Sequence, residues 1–225
     1  MKARPILFKP DMVNAILEGR KVQTRRIVKP LAGAGWQPKT ANGDPCLLGW
    51  ITTPHPKKGK FGLFMRREIY SGSGKYEHDL IPCPYGAPGD VLWVREAWGI
   101  IDDNTVEAGA AAYRATDPVA LDKWRPSIHM PRWASRLTLE ITDVRVERLQ
   151  DISEEDARAE GARLELAEVD SVRLGAEASH RSGFQNLWKS INGEESWAAN
   201  PWVWVVEFQP HHTNVDAFLR GREVA

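Results

Sequence analysis

Residues 134–152 read ASRLTLEITDVRVERLQDI, the longest strand-like stretch in the chain, and its pattern of apolar residues changes phase midway. Leu137, Leu139 and Ile141 alternate on one phase, whereas Val144 and Val146 fall on the other. Side chains on a strand point to alternate faces, so a slip of one residue moves the apolar set to the opposite side. The slip at Thr142-Asp143 therefore predicts a bulge or a sharp bend, as at a barrel corner. Near the C-terminus, PWVWVVEF (201–208) is apolar at consecutive positions. That predicts a central strand covered on both faces. A chain holding these two strands must be built around a bent, two-sided sheet.

The other elements are shorter. Residues 4–8 form a strand candidate. A helix follows, with Asp11 as its cap, Val13, Ile16 and Leu17 at helical spacing, and Gly19 as its left-handed end. Residues 22–28 return as a strand, with Val22, Thr24 and Arg26 on one face and Gln23, Arg25 and Ile27 on the other. Further strands are expected at 61–70, 91–98 and 110–115, with a helical turn in 117–124. Ser153 caps a short helix with three acids in its first turn, closed by Gly161. In 184–191, Phe184, Leu187, Trp188 and Ile191 share one helical face. Glycine, proline and polar runs mark insertions at about 29–60 and 162–181, and the tail 210–225 carries no core pattern and is expected to be flexible. Strands outnumber helices, and neither repeats nor a dinucleotide fingerprint occur. The expected fold is mainly β (α+β): a small β-barrel with short peripheral helices and loop insertions, as one domain over 1–209.

Of the 225 residues, 42% are hydrophobic and 27% charged, ordinary globular values that exclude wholesale disorder. Lys plus Arg equals Asp plus Glu at 30 each, so the chain lacks the overall basicity of a general nucleic-acid binder. Anion binding would need local clustering. Cys46 and Cys83 are far apart and without metal spacing, which points to a reducing compartment. Together with His55 and His78 they reach zinc geometry only by long-range convergence, and no motif calls for a metal or another cofactor. No apolar run is long enough for a signal peptide or a membrane span, and a cytoplasmic location is expected. Ten tryptophans are roughly three times average usage. Most sit in strand-like patterns, which favours core packing over ligand contact.

The cluster GRKVQTRR (19–26) puts Arg20, Lys21, Arg25 and Arg26 within eight residues. Such cations repel unless water or an anion separates them, so the segment is either a solvated basic turn or a pocket for an anion, a nucleobase or a polar small molecule. The segment resembles the G-x-K-x-x-E-x-R signature of ASCH domains, a branch of the PUA-like β-barrel superfamily. Gly19, Lys21 and Arg26 match, and Thr24 stands where the commonest form has Glu. The G-R-K-x-x-T-x-R version is similar to that of bacterial N4-acetylcytidine amidohydrolases, in which Lys and Thr are catalytic and a Glu ending a short helix is the third catalytic residue. DISEEDARAEG (151–161) occupies the equivalent place, with Glu160 in register. CPYGAPGDVLWVREAW, RPSIHMPRWASRLTLEITDVRVERLQDISEEDARAEG and NPWVWVVEF resemble larger ASCH proteins of phages and prophages, over most of 1–209.

The resemblance implies three roles: Lys21 as base, Thr24 as nucleophile and Glu160 as acid. Lys21 needs a lowered pKa for that role, which desolvation and the neighbours Arg20, Arg25 and Arg26 would supply. Glu160 lies at the negative end of its helix, which favours the protonated form suited to an acid. Lys21 and Thr24 are three apart, so they converge only if Lys21 is still in the turn before the strand. Arg26 is a candidate for phosphate or carbonyl binding, or for an ion pair with Glu96. Arg95 and Glu96 lie on opposite faces, so at most one faces a pocket, and His129 and Arg132 in SIHMPRW are further pocket candidates. The implied partner is a modified nucleoside, RNA or single-stranded nucleic acid, without a membrane. An amide or acyl hydrolase is one reading. The alternatives are a non-catalytic RNA or single-strand binding module with Trp98, Trp124 and Trp133 as stacking platforms, or a metal-independent ribonuclease. A phage structural role draws only on the company of the family.

Overall fold

Five strands, in the order β1-β7-β10-β11-β2, make the main sheet of the computed structural model, which describes residues 1–40, 46–101, 110–118, 121, 123–166 and 177–223. They are β1 (Ala3–Leu7), β2 (Gln23–Ile27), β7 (Val91–Arg95), β10 (Thr138–Arg148) and β11 (Trp202–His211). β1 and β7 run parallel, and the other pairs are antiparallel. A second sheet packs β3 (Gln37–Pro38), β4 (Leu48–Trp50) and β6 (Tyr76–Pro82) around β5 (Phe61–Glu68). A small hairpin joins β8 (Trp98–Ile100) to β9 (Ala111–Tyr113). The helices are α1 (Pro10–Leu17), α2 (Glu154–Ala159), α3 (His180–Asn192), α4 (Glu195–Ala198) and α5 (Val215–Glu223). None of these is long and apolar enough to cross a membrane.

The two strands that organise the sequence organise the fold. In β10, Ile141 pairs with Phe208 and Asp143 with Glu207, so Thr142 is the extra residue of a bulge where the apolar phase slips. β11 lies between β10 and β2, as its apolar run requires. Trp204, Val206 and Phe208 enter the large core with Ile6, Leu92, Leu139 and Val146. Val203 and Val205 enter a second core with Leu149, Ile152, Phe184 and Trp188. Both faces are thus sealed. Leu63, Met65 and Ile81 of the second sheet cover the first core, and α2 and α3 cover the second.

Strand accounts for 34% and helix for 25% of the described residues, a mixed α+β composition. The sheets are open, and among the described residues no backbone ladder closes them into the expected barrel. The edge strands β1 and β2 are instead tied by a side chain: Arg26 Nη2 donates to the Leu7 carbonyl at 2.8 Å, with its guanidinium over the Phe8 ring at 5.2 Å. An arginine spans a gap that a ladder spacing of ~4.8 Å would have to close.

Other expectations shift in detail. Asp11 lies in the first turn of α1 rather than at its cap; Lys9 precedes Pro10 there without a side-chain cap. Gly19 does end the helix, at φ 72°. The 29–60 segment contributes β3 and β4, and β6 pairs along the length of β5 through a turn at Gly72 and Gly74. The expected strand 91–98 is divided between β7 and β8. The tail is ordered through Glu223: β11 continues to His211, and Val215, Phe218 and Leu219 of α5 pack on Val91, Trp93 and Ala3. Its apolar residues are spaced for a helix, three and four apart, and the strand partner they cover is remote in sequence. Residues 119, 120 and 122 of the expected turn, and 167–176 of the second insertion, lie outside the described residues.

Candidate active site

Because β2 is an edge strand, a cleft can wrap around its free side. This one measures about 170 Å³, and its lining includes Lys21, Thr24, Arg25, Arg26 and Glu160. Phe8, Tyr85 and the α3 residues Phe184, Leu187, Trp188 and Ile191 supply the apolar part of the lining, with Arg26 over the Phe8 ring and Arg25 over the Phe184 ring. That volume is below the ~300–1,000 Å³ of typical small-molecule sites, so it suits one ring or one acyl group rather than a whole nucleotide.

Lys21 reaches the cleft because it precedes β2. Its amide donates to the Ala15 carbonyl at the end of α1, and it forms an isolated antiparallel bridge with Glu160. This turn geometry is the condition under which Lys21 and Thr24, three residues apart, face one space. Glu160 is placed by α2, which Ser153 caps by accepting from the Asp156 amide at 3.0 Å. Gly161 at φ 79° then turns the chain.

The Lys21 Nζ donates to Glu160 Oε2 at 2.6 Å and to the Glu160 carbonyl at 2.8 Å. Both residues are almost fully buried, at 1% and 3% exposure. Burial holds the Lys21 pKa below the ordinary lysine value; Glu160 opposes the shift, and Arg26 and Arg25 add to it. Arg25 is the structural cation of the site. Its guanidinium meets Glu147 at 2.5 Å, Asp156 at 3.2 Å and Glu160 at 3.3 Å. The Glu160 carboxylate is thus held from both sides, by Lys21 on one oxygen and Arg25 on the other. The Thr24 hydroxyl makes no hydrogen bond with the described residues, although the residue is only 3% exposed. Its hydroxyl is available to a ligand.

The remaining sequence candidates lie elsewhere. Arg20 is exposed and pairs with Glu18 at 2.5 Å, so it does not help to depress Lys21. Glu96 is buried, but its partner is Arg136 at 2.9 Å rather than Arg26, and burial pushes its carboxyl pKa up against that arginine. Arg95 donates to the Met130 and Ile128 carbonyls and covers Trp93. His129 is exposed in a 3-10 turn, and Arg132 pairs with Asp216 of α5 at 2.8 Å. Neither Arg95 nor Glu96 lines the cleft, for the chain bends away after β7. Among the described residues no three His, Cys, Asp or Glu side chains converge as a metal set.

The apolar wall is what sequence reasoning missed. The α3 face reads as a core face, and Phe184 and Trp188 are indeed buried, yet the same face continues through Leu187 to Ile191 at 41% exposure. An apolar helical face wider than its core contact was the available signal. Tyr85, at the CPYG turn, carried none. Its phenol pKa is raised by burial with Arg26 opposing, so it remains a neutral donor at physiological pH. Compared with protein-family models, with curated proteins and with solved structures, the chain matches none.

Proposed function

We propose that the cleft hydrolyses an amide or acyl bond on a modified nucleobase or nucleoside, in an ASCH-like protein of the cytoplasm whose curled sheet is an open relative of the PUA-like barrel. One observation carries the reading: a buried lysine of lowered pKa sits 2.6 Å from a buried glutamate, in a cleft that also holds a threonine hydroxyl without a partner among the described residues.

The chemistry follows from that pair. Transfer of one proton from Lys21 Nζ to Glu160 Oε2 turns ammonium and carboxylate into amine and carboxylic acid. Burial is what allows the neutral pair to compete with the ion pair. The amine accepts the Thr24 hydroxyl proton as Oγ1 attacks the acyl carbon, and Arg26 is the cleft cation left for the developing oxyanion. Collapse breaks the C–N bond, and the leaving amine takes the proton of Glu160. The products of this half are acyl-Thr24, free amine and the original ion pair. Water then hydrolyses the ester with the same proton cycle in reverse. A binding module with a phosphate-holding basic rim is less well supported, since Arg20 and Arg25 are already paired with carboxylates. The same pairing weakens the ribonuclease alternative.

The test is incubation with N4-acetylcytidine and related acylated nucleosides, following release of acetate. Thr24→Val replaces the hydroxyl with a methyl group of the same shape. Because that hydroxyl has no hydrogen-bond partner among the described residues, the change removes no hydrogen bond and stability is retained, while turnover is lost. Absence of turnover in the wild type, or its persistence in Thr24→Val, overturns the proposal.

A further inference from the structure

Tyr85 sits in the CPYGAPGD turn, a motif that no step above uses. Its hydroxyl makes no hydrogen bond with the described residues, among which the buried side-chain polar atoms lacking a partner are the indole nitrogens of Trp98 and Trp188. The Tyr85 oxygen is unpaired but not among these, so it is open to solvent, and the cleft that Tyr85 lines is this one. The Thr24 hydroxyl is open by the same reasoning. Two hydroxyls without partners therefore share one cleft.

The turn clamps Tyr85 by its backbone. Arg4 Nη1 donates to Asp90 Oδ2 at 2.8 Å and to the Tyr85 carbonyl at 3.3 Å. Gly86 follows at φ 121°, where a Cβ would run into that same Nη1. In β2, Thr24 and Arg26 share one strand face. Arg26 and Lys21 both lie over the Phe8 ring, 5.2 and 5.8 Å from its centre, so cation and base flank one spot. Burial raises the Tyr85 phenol pKa and Arg26 is near enough to oppose it, so the hydroxyl keeps its proton beside that cation. One Arg26 nitrogen is already committed to the Leu7 carbonyl. A second donor is what the spot lacks, and the phenol is a free one.

We infer that Tyr85 is a catalytic residue of the cleft: its hydroxyl, together with Arg26, holds the oxyanion formed when Thr24 attacks an acyl carbon. This rests on the hydrolase reading and adds a residue to it. Attack by Thr24 Oγ1 forms the O–C bond, moves the carbonyl π pair onto oxygen and passes the hydroxyl proton to the Lys21 amine. Tyr85 keeps its own proton and donates it as a hydrogen bond, which strengthens as that oxygen becomes negative. On collapse the pair returns to carbon, the C–N bond breaks and the leaving amine takes the Glu160 proton. A donor that acts on charge developed only in the transition state raises kcat and leaves ground-state binding alone.

The experiment uses the full chain and phenylboronic acid, whose boron accepts the Thr24 oxygen and becomes a tetrahedral anion, with benzamide as the flat, neutral counterpart. The adduct is followed by its ¹¹B resonance, and Tyr85 by its ¹³Cζ signal, one of four from the tyrosines, assigned by its loss in Tyr85→Phe. The expected result is a tetrahedral boron signal that Thr24→Val abolishes, with a shift of the Tyr85 signal as it appears. Tyr85→Phe should bind the boronate roughly tenfold or more weakly and benzamide as before, and with N4-acetylcytidine its kcat should fall by ~10²–10³-fold at unchanged KM. No adduct in the wild type, or an unmoved Tyr85 signal, overturns the inference, and neither outcome depends on the variant folding. Equal boronate affinity in Tyr85→Phe overturns it as well, and so does an equal loss of both probes, which marks a structural role. A Tyr85-dependent adduct with no acetate release refutes the hydrolase proposal alone. Acetate release that Tyr85→Phe leaves unchanged refutes the Tyr85 role alone.

Discussion

Lys21 is where charge, burial and chemistry meet, and its behaviour with pH is the sharpest test at the residue scale. Its folded pKa lies below the ordinary 10.5 because burial outweighs the attraction of Glu160. The unfolded chain therefore holds the proton at pH values where the folded chain has released it. Stability from this group is complete above the unfolded value and is lost as pH falls through the folded one. Denaturation between pH 7 and 10 should show stability rising with pH, and Lys21→Met should flatten that rise while Arg25 still holds Glu160. Activity should fall over the same window, because the mechanism uses the one proton that Lys21 and Glu160 share, and once it is lost Glu160 has none to give to the leaving amine. Lys21→Arg keeps the cation but cannot yield a neutral base, so kcat should fall by about 10²–10⁴-fold with ligand affinity retained. Turnover that survives Lys21→Arg removes Lys21 from the mechanism. Lys21 and Thr24 were legible as candidates because their spacing is local. Their environment was not, since Glu160 lies 139 residues away from Lys21.

At the scale of elements, two glycine turns hold the site from either side, and they separate strain from contact. Gly19 after α1 and Gly161 after α2 both have left-handed backbones, at φ 72° and 79°. A side chain there costs ~1–2 kcal/mol. A Cβ at Gly19 would meet nothing within 4 Å, whereas one at Gly161 would lie 3.0 Å from the Ala15 Cβ and 3.1 Å from the Lys21 Cβ. Gly19→Ala and Gly161→Ala should therefore lose comparable stability in thermal melts, but only Gly161→Ala should displace Lys21 and depress turnover, by tenfold or more. Equal activity in the two variants would mean that the α2 terminus does not set the position of Lys21. Both glycines were visible in the sequence as helix ends. That Gly161 packs on α1 was not, because helix ends are decided by local backbone preference and their neighbours by the sheet between them.

Across the whole molecule, the sheet is finished by a segment whose sequence gives little sign of a core. Val215 is fully buried, and with Phe218 and Leu219 it covers Val91, Trp93 and Ala3 on the outer side of β1 and β7. Arg132–Asp216 and the Asn214 amide, which reaches the carbonyls of Arg132, Trp133 and Ser135, fasten the same helix. Deleting residues from 212 onward should expose this apolar face. Losing one fully buried and two partly buried side chains amounts to ~3 kcal/mol, and Tm should fall by roughly 6–12 °C. Turnover at 20 °C should persist, since no α5 residue lines the cleft. An unchanged Tm would show that α5 adds no stability.

What the amino-acid order determined unaided is what short-range physics controls. The bulge at Thr142 follows from the two-residue period of a strand, the central place of β11 from apolar side chains on both faces, and the ends of α1 and α2 from glycine's access to positive φ. Tertiary structure alone decided which charges meet. Arg20, Arg25, Arg26 and Arg95 look alike along the chain, yet one is bound to a neighbour two residues away, one is locked by three remote carboxylates, one bridges two sheet edges, and one caps a distant turn. Tertiary structure also left the barrel open and placed half of a core-like helix face against a cleft. The partners of Arg26, Arg95 and Arg25 lie from 19 to 135 residues away in the chain, and only packing of the complete sheet brings these together.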